Sequence, residues 1–154
     1  MAKTPKYTIP VVRTVLVRER KASVANVGDG PMADSTCLAA VAAAVIGPTD
    51  REHFLLIALN NAMRVDSVQV MSIGGEASAS LSPSALFRAA LATGCTNFAV
   101  AHNHPSGDVR ASPEDRAMTD AIERGMKVLG LNLVDHIIIG RDGAHLSFYN
   151  VGYL

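Results

Sequence analysis

The run Phe54-Leu-Leu-Ile-Ala-Leu59 constrains the fold more than any other stretch of the chain. Six apolar residues in succession have strand length and no amphipathic alternation, so they read as a central strand buried on both faces. A strand of that kind demands a sheet around it and helices packed on the sheet. The flanking text supplies both. Asn60-Asn61 is turn chemistry, and residues 65–73, with Val68 and Val70 in alternation, read as an antiparallel partner ended by Gly74-Gly75. Phe98-Ala-Val-Ala101 is a second short buried strand. Residues 131–139 and 144–149 read as strands joined by the hairpin turn Gly140-Arg141-Asp142-Gly143.

Helices fall between these strands. Asp34 or Ser35 can cap a helix over residues 36–46, which Gly47-Pro48 stops. Ser82-Pro83 places Ser at an N-cap and Pro at the first helical position, and Gly94 ends that helix. Ser112-Pro113 repeats the signal for a helix running to about residue 129. Asp120/Arg124 and Glu123/Lys127 are i,i+4 pairs on its wet face. Helices and strands interleave, yet two hairpins require antiparallel pairing. The expected fold class is therefore α/β, a mixed sheet flanked by helices.

The chain has 154 residues, of which 49% are hydrophobic. That predicts one compact domain and excludes an unfolded polar chain. Aromatics are 5% and Trp is absent, so Ala, Val, Ile and Leu must fill the core. Fourteen basic and fourteen acidic residues balance, which excludes a chain-wide polybasic surface. Residues 1–22 nevertheless carry six basic side chains, Lys3, Lys6, Arg13, Arg18, Arg20 and Lys21, against Glu19 alone. Residues 7–19 read as an edge strand, with Pro10 at an edge position, and residues 21–32 as a loop. The basic residues read first as protection of that edge. Contact with nucleic acid is the competing reading, and a salt-dependent gel shift separates the two. Two distant cysteines, Cys37 and Cys95, make no disulfide framework and suit a reducing, cytoplasmic setting. The ten-residue apolar run 37–46 is too short to span a bilayer, and the N-terminus has no secretory apolar core.

The chemistry concentrates in His102-Asn103-His104-Pro105-Ser106-Gly107, followed by Ser112-Pro113-Glu114-Asp115. His102 and His104 are two apart, so in extended backbone they point the same way. Asp115 falls in the first turn of the next helix. Two imidazoles and a carboxylate from a strand end and a helix start can converge on one point. Three such ligands with a fourth position open to water describe a catalytic Zn2+ site, and zinc leads among the divalent metals. Each part has a plainer reading alone. Ser112 and Asp115 read first as a capping-box-like pair, and an isolated His-x-His pair as packing or capping.

The whole set, His102-x-His104-x7-Ser112-x2-Asp115, resembles the JAMM motif of the JAB/MPN metalloprotease family. Its surroundings resemble the RadC-like branch: Arg51-Glu52-His53-Phe54, Val70-Met-Ser-Ile-Gly74, Ala101-His-Asn-His-Pro-Ser-Gly-Asp108 and Asp135-His-Ile-Ile-Ile-Gly140. The resemblance covers residues 36–150, with residues 1–35 as the leader of the short form and 36–154 as the domain. No helix-hairpin-helix segment like that of the long form is seen. The resemblance implies an MPN/JAB fold of cytidine-deaminase-like architecture. It implies that His102, His104 and Asp115 bind Zn2+, that Glu52 is the catalytic carboxylate and that Ser112 helps stabilise the tetrahedral intermediate. The substrate implied is a peptide or protein, cleaved at a peptide or isopeptide bond. The branch also carries a DNA-repair association, which would make the chain a nucleic-acid-associated module. Glu52 read alone is a solvated residue at a strand entrance. Three departures stand out: Val109 and Ala111 occupy usual proline positions, and Ser82-Pro83-Ser84-Ala85 replaces a common His-Pro-Arg-Glu. His136 beside Asp135 reads as packing or as support for the site, and His53 and His145 as structural or exposed.

Overall fold

The computed structural model describes residues 10, 12–25, 30–74 and 81–154. In chain order the elements are α1 (Ser35–Ile46), β1 (His53–Leu59), β2 (Val65–Ile73), α2 (Pro83–Thr93), β3 (Asn97–Asn103), α3 (Pro113–Val128), β4 (Asn132–Ile139) and β5 (His145–Ser147). The five strands form one sheet in the order β2-β1-β3-β4-β5. β1 is antiparallel to both β2 and β3, β4 runs parallel to β3 through the α3 crossover, and β5 returns antiparallel to β4. The mixed α/β sheet expected from the text is present.

The central run owes its composition to its place. Every β1 residue after His53 is buried, because the strand has a neighbour on each side and a helical layer over each face. Leu55, Ile57 and Leu59 join Ala99, Ala101, Ile137 and Ile139 beneath Leu38, Val41 and Ala42 of α1. The alternate residues Phe54, Leu56 and Ala58 join Phe98 and Val100 beneath Leu86 and Ala90 of α2 and Ile122 and Met126 of α3. Burying a Leu or Ile side chain contributes about 1.5–3 kcal/mol, so this double-faced strand anchors the molecule.

One expectation needs correction, and two that hold need detail. Residues 12–19 form no strand, and Val12, Val15, Leu16 and Val17 are exposed. Val12, Val15, Leu16 and Val17 are strand-forming residues, but a strand needs a ladder, and β2 and β5 are the sheet edges. Residues 7–9 and 11, and residues 26–29 of the expected loop, lie outside the described residues. Ser82 does hold the N-cap position of α2, but its hydroxyl bonds the Ser84 hydroxyl at 2.8 Å instead of a backbone N–H. The charged i,i+4 pairs on α3 do not close into ion pairs; their groups are solvated, where such a pair is worth little. Asp34 caps α1, its carboxylate accepting from the Cys37 N–H at 3.0 Å.

Candidate metal centre

The expected ligands meet where β3 ends and α3 begins. β3 runs two residues further than the apolar text suggests, so His102 is the penultimate strand residue and is 1% exposed. Its ring lies parallel to that of Phe54, the β1 residue paired with it, at 5.8 Å between centroids. His104, two residues on, faces the same way, and its Nε2 lies 3.0 Å from His102 Nε2. From the first turn of α3, Asp115 brings Oδ1 to 3.1 Å from His102 Nε2 and Oδ2 to 3.5 Å from His104 Nε2. One ligand atom from each residue falls within 4.8 Å of the others, a set able to hold a metal ion.

Each side chain of this set is held from behind. His104 Nδ1 donates to the Asp108 carbonyl at 2.6 Å, so Nε2 is the nitrogen turned toward the centre. Asp115 sits in a complete capping box. Ser112 Oγ accepts from the Asp115 N–H at 3.0 Å, while Asp115 Oδ2 accepts from the Ser112 N–H at 2.8 Å and from the Ser112 hydroxyl at 2.7 Å. Capping and ligand presentation are thus one arrangement: the box that starts the helix also aims the carboxylate. Burial would raise the Asp115 carboxyl, but the contacts with His102 and Ser112 outweigh it and keep the group ionised.

Loop 104–111 docks on the β4–β5 turn. Arg141 donates to the Pro105 carbonyl at 3.2 Å, and Gly107 takes φ +85°. Gly140 has no room for a side chain: a Cβ there would stand 2.5 Å from the Gly107 carbonyl oxygen. At the exposed tip, Arg110 forks onto Asp108 and holds that carboxyl down at about 2.

Glu52 is exposed, one residue before β1 and two before Phe54. Its position is fixed through backbone. Asn103 turns to the opposite face from the two histidines. Its Oδ1 accepts from the His53 N–H at 2.7 Å and its Nδ2 donates to the Arg51 carbonyl at 2.9 Å. The Glu52 carbonyl between them accepts from the Gly74 N–H at 2.7 Å. Asn103 was not singled out by sequence reasoning, although an amide between two histidines at a strand end was a usable signal.

Behind His102 lies His136 of β4, fully buried, with its Nε2 2.8 Å from His102 Nδ1. Burial holds this imidazole well below its ordinary range, so it is neutral. Phe148 stacks on it at 4.5 Å. Neighbouring Asp135 is occupied elsewhere: it accepts from the His136 N–H, the Ser147 hydroxyl and the Tyr149 N–H, tying β4 to β5 and the turn after it. Nδ1 of His53 and of His145 faces a carbonyl two residues away, so both rings serve local structure.

Fold and site together define an α/β domain with a His-His-Asp centre at the end of its sheet. Comparison with known proteins agrees: residues 32–153 match the family described as RadC-like JAB domain. The chain belongs to that family. It is 39% identical over 102 residues to a UPF0758 protein of Trichormus variabilis, covering 66% of this chain and 42% of that protein. It is 40% identical over 91 residues to a UPF0758 protein of Desulforudis audaxviator, covering 59% of this chain and 40% of the relative. A UPF0758 protein of Methanococcoides burtonii is 36% identical over 104 residues, covering 68% and 45%. The chain thus spans less than half the length of these relatives. Among the described residues, no helix is long and apolar enough to cross a membrane.

Proposed function

We propose that the chain is a zinc-dependent hydrolase of the JAMM type, acting on a peptide or isopeptide bond. The observation that carries this reading is the convergence of His102 Nε2, His104 Nε2 and an Asp115 carboxylate oxygen within 4.8 Å. The donor set suits the ion: two imidazoles and one carboxylate, with the His104 ring already turned to offer Nε2. Bound there, Zn2+ would lower the pKa of a coordinated water toward about 7 and polarise the attacked carbonyl.

The remaining work belongs to the chain's own groups. Glu52, presented at the mouth of β1, takes the proton of the attacking water and delivers it to the leaving amine. Ser112 holds Asp115 through its backbone N–H and its hydroxyl, and the hydroxyl proton must turn from Asp115 Oδ2 to meet charge developing on the attacked oxygen. The free thiols Cys37 and Cys95 suit a reducing, cytoplasmic compartment.

Metal analysis of the purified protein, followed by cleavage assays on a peptide library, tests this reading. We expect one zinc per chain, loss of cleavage with chelator and its return with zinc. His104→Ala should strip the metal while leaving most of the fold. Stoichiometric zinc in the double variant His102→Ala/His104→Ala would overturn the ligand assignment. Glu52→Gln should keep zinc and lose activity by about 10²-fold or more. Unchanged turnover in that variant would remove Glu52 from the mechanism.

A further inference from the structure

A chain of buried hydrogen bonds runs away from the centre, and its protons can be assigned one by one. Thr119, on α3 and 1% exposed, places Oγ1 2.7 Å from the Asp115 backbone carbonyl and 2.6 Å from His136 Nδ1. A hydroxyl has one proton for these two contacts. A proton turned toward His136 would leave Oγ1 and the carbonyl oxygen facing each other as two acceptors at 2.7 Å. The proton therefore goes to the carbonyl, and Oγ1 accepts from His136 Nδ1–H. In a neutral imidazole the second nitrogen is then bare, so His136 Nε2 accepts from His102 Nδ1–H at 2.8 Å. In the metal-binding form of His102, Nε2 is then the nitrogen that carries the lone pair, at the point shared with His104 and Asp115.

We propose that Thr119 and His136 are positioning residues that set the tautomer and ring orientation of His102 for metal binding. This inference rests on the metal-centre reading above. The relay starts at the backbone of Asp115 and ends on His102, so it also couples the helix bearing one ligand to the strand bearing another. Its chemistry is distinctive, because the acceptor behind the ligand is a neutral imidazole. A carboxylate in that place would add negative charge to the ligand; an imidazole orients it without doing so. The apolar cover of Phe54 and Phe148 keeps water from competing for the same protons.

The chain has five histidines, so nitrogen-15 NMR of the labelled rings resolves them readily. We expect His136 in the Nδ1–H form in both metal-free and zinc-loaded protein. An Nε2–H form of His136 would overturn the assignment, whether or not zinc binds. In chelator competition, Thr119→Val should weaken zinc binding by about 10–100-fold, the usual loss when a group supporting a ligand is removed. Thr119→Ser, which keeps the hydroxyl, should restore it. His136→Leu should fall at least as far as Thr119→Val, with circular dichroism and melting used to verify folding. Wild-type affinity in folded Thr119→Val would overturn the relay. Absence of zinc binding by the wild-type protein would instead overturn the metal reading itself, while the NMR form of His136 still decides the relay.

Discussion

Two roles compete for the Ser112 hydroxyl, the cap it forms and the oxyanion donor proposed for it, and their magnitudes differ enough to separate them. Losing an N-cap costs about 1 kcal/mol of stability. Losing a donor to a developing oxyanion costs roughly 3–4 kcal/mol in the barrier, or 10²–10³ in turnover. Asn can cap but brings no hydroxyl. We expect Ser112→Asn to keep melting temperature and zinc content while turnover falls at least tenfold. Activity equal to the parent in Ser112→Asn, with Ser112→Ala impaired only in step with its stability, would make the serine a cap alone. Asn103 gives a second test at this scale. Its amide satisfies an N–H and a C=O on either side of Glu52, and Asn103→Asp keeps the acceptor but loses the donor. We expect Asn103→Asp to retain zinc, because the ligands lie on the other face of β3, and to lose turnover through a displaced Glu52. Full activity in Asn103→Asp would show that Glu52 needs no such bracket. Ser112 and Asp115 were legible because a capping box has a fixed local spacing. The Thr119–His136 contact was not, because the residues are 17 apart and joined only by the α3–β4 packing.

At the scale of elements, α1 depends on Asp34, whose carboxyl is lowered by hydrogen bonding to Cys37. A carboxyl depressed in the folded protein contributes stability above its ordinary value near 3.9 and loses it as pH falls through the folded value. Asp34→Ser caps without titrating. The melting temperature of the parent should therefore drop faster than that of Asp34→Ser between pH 5 and pH 3, and parallel curves would contradict this. The β4–β5 turn offers a contrast between two glycines. Gly143, at φ +79° with open space around it, should accept Ala at a modest stability cost and with no effect on zinc. Gly140→Ala must push the Gly107 carbonyl, and with it the loop carrying His104, so it should weaken zinc binding several-fold. Equal zinc affinity in the two variants would disprove the coupling of turn to loop. The hairpin itself was legible from its Gly-rich turn. The docking of loop 104–111 upon it was not, since no local pattern encodes contact between segments over thirty residues apart.

For the whole molecule, a ligand that binds only the folded state stabilises it by mass action, about 2.7 kcal/mol at a hundredfold excess over Kd. For a chain of this size that is a rise in melting temperature on the order of 5–10 °C. We expect zinc to raise the melting temperature by that amount, chelator to reverse it, and His102→Ala/His104→Ala to abolish the difference. The same zinc-dependent rise in the double variant would place the binding elsewhere. The ligands come from the end of β3, the residue just after it and α3, elements that cover or build the same core, so the stabilisation should be global and the transition should stay single.

The sequence by itself determined whatever depends on neighbours along the chain. The run 54–59, of strand length and followed by the turn residues Asn60-Asn61, marked a central strand covered on both faces. Proline after serine dictated two helix starts, and the two-residue spacing of His102 and His104 dictated a common direction. The tertiary structure alone decided which of two similar Ser-Pro starts makes a capping bond, and that the valine-rich residues 12–19 find no ladder. It alone brought Asp115 to the histidines, Asn103 to the flanks of Glu52, and Thr119 and His136 behind His102. Local pattern fixes the direction in which a side chain leaves the backbone. The partner it meets is fixed by the order in which the strands and helices are laid side by side.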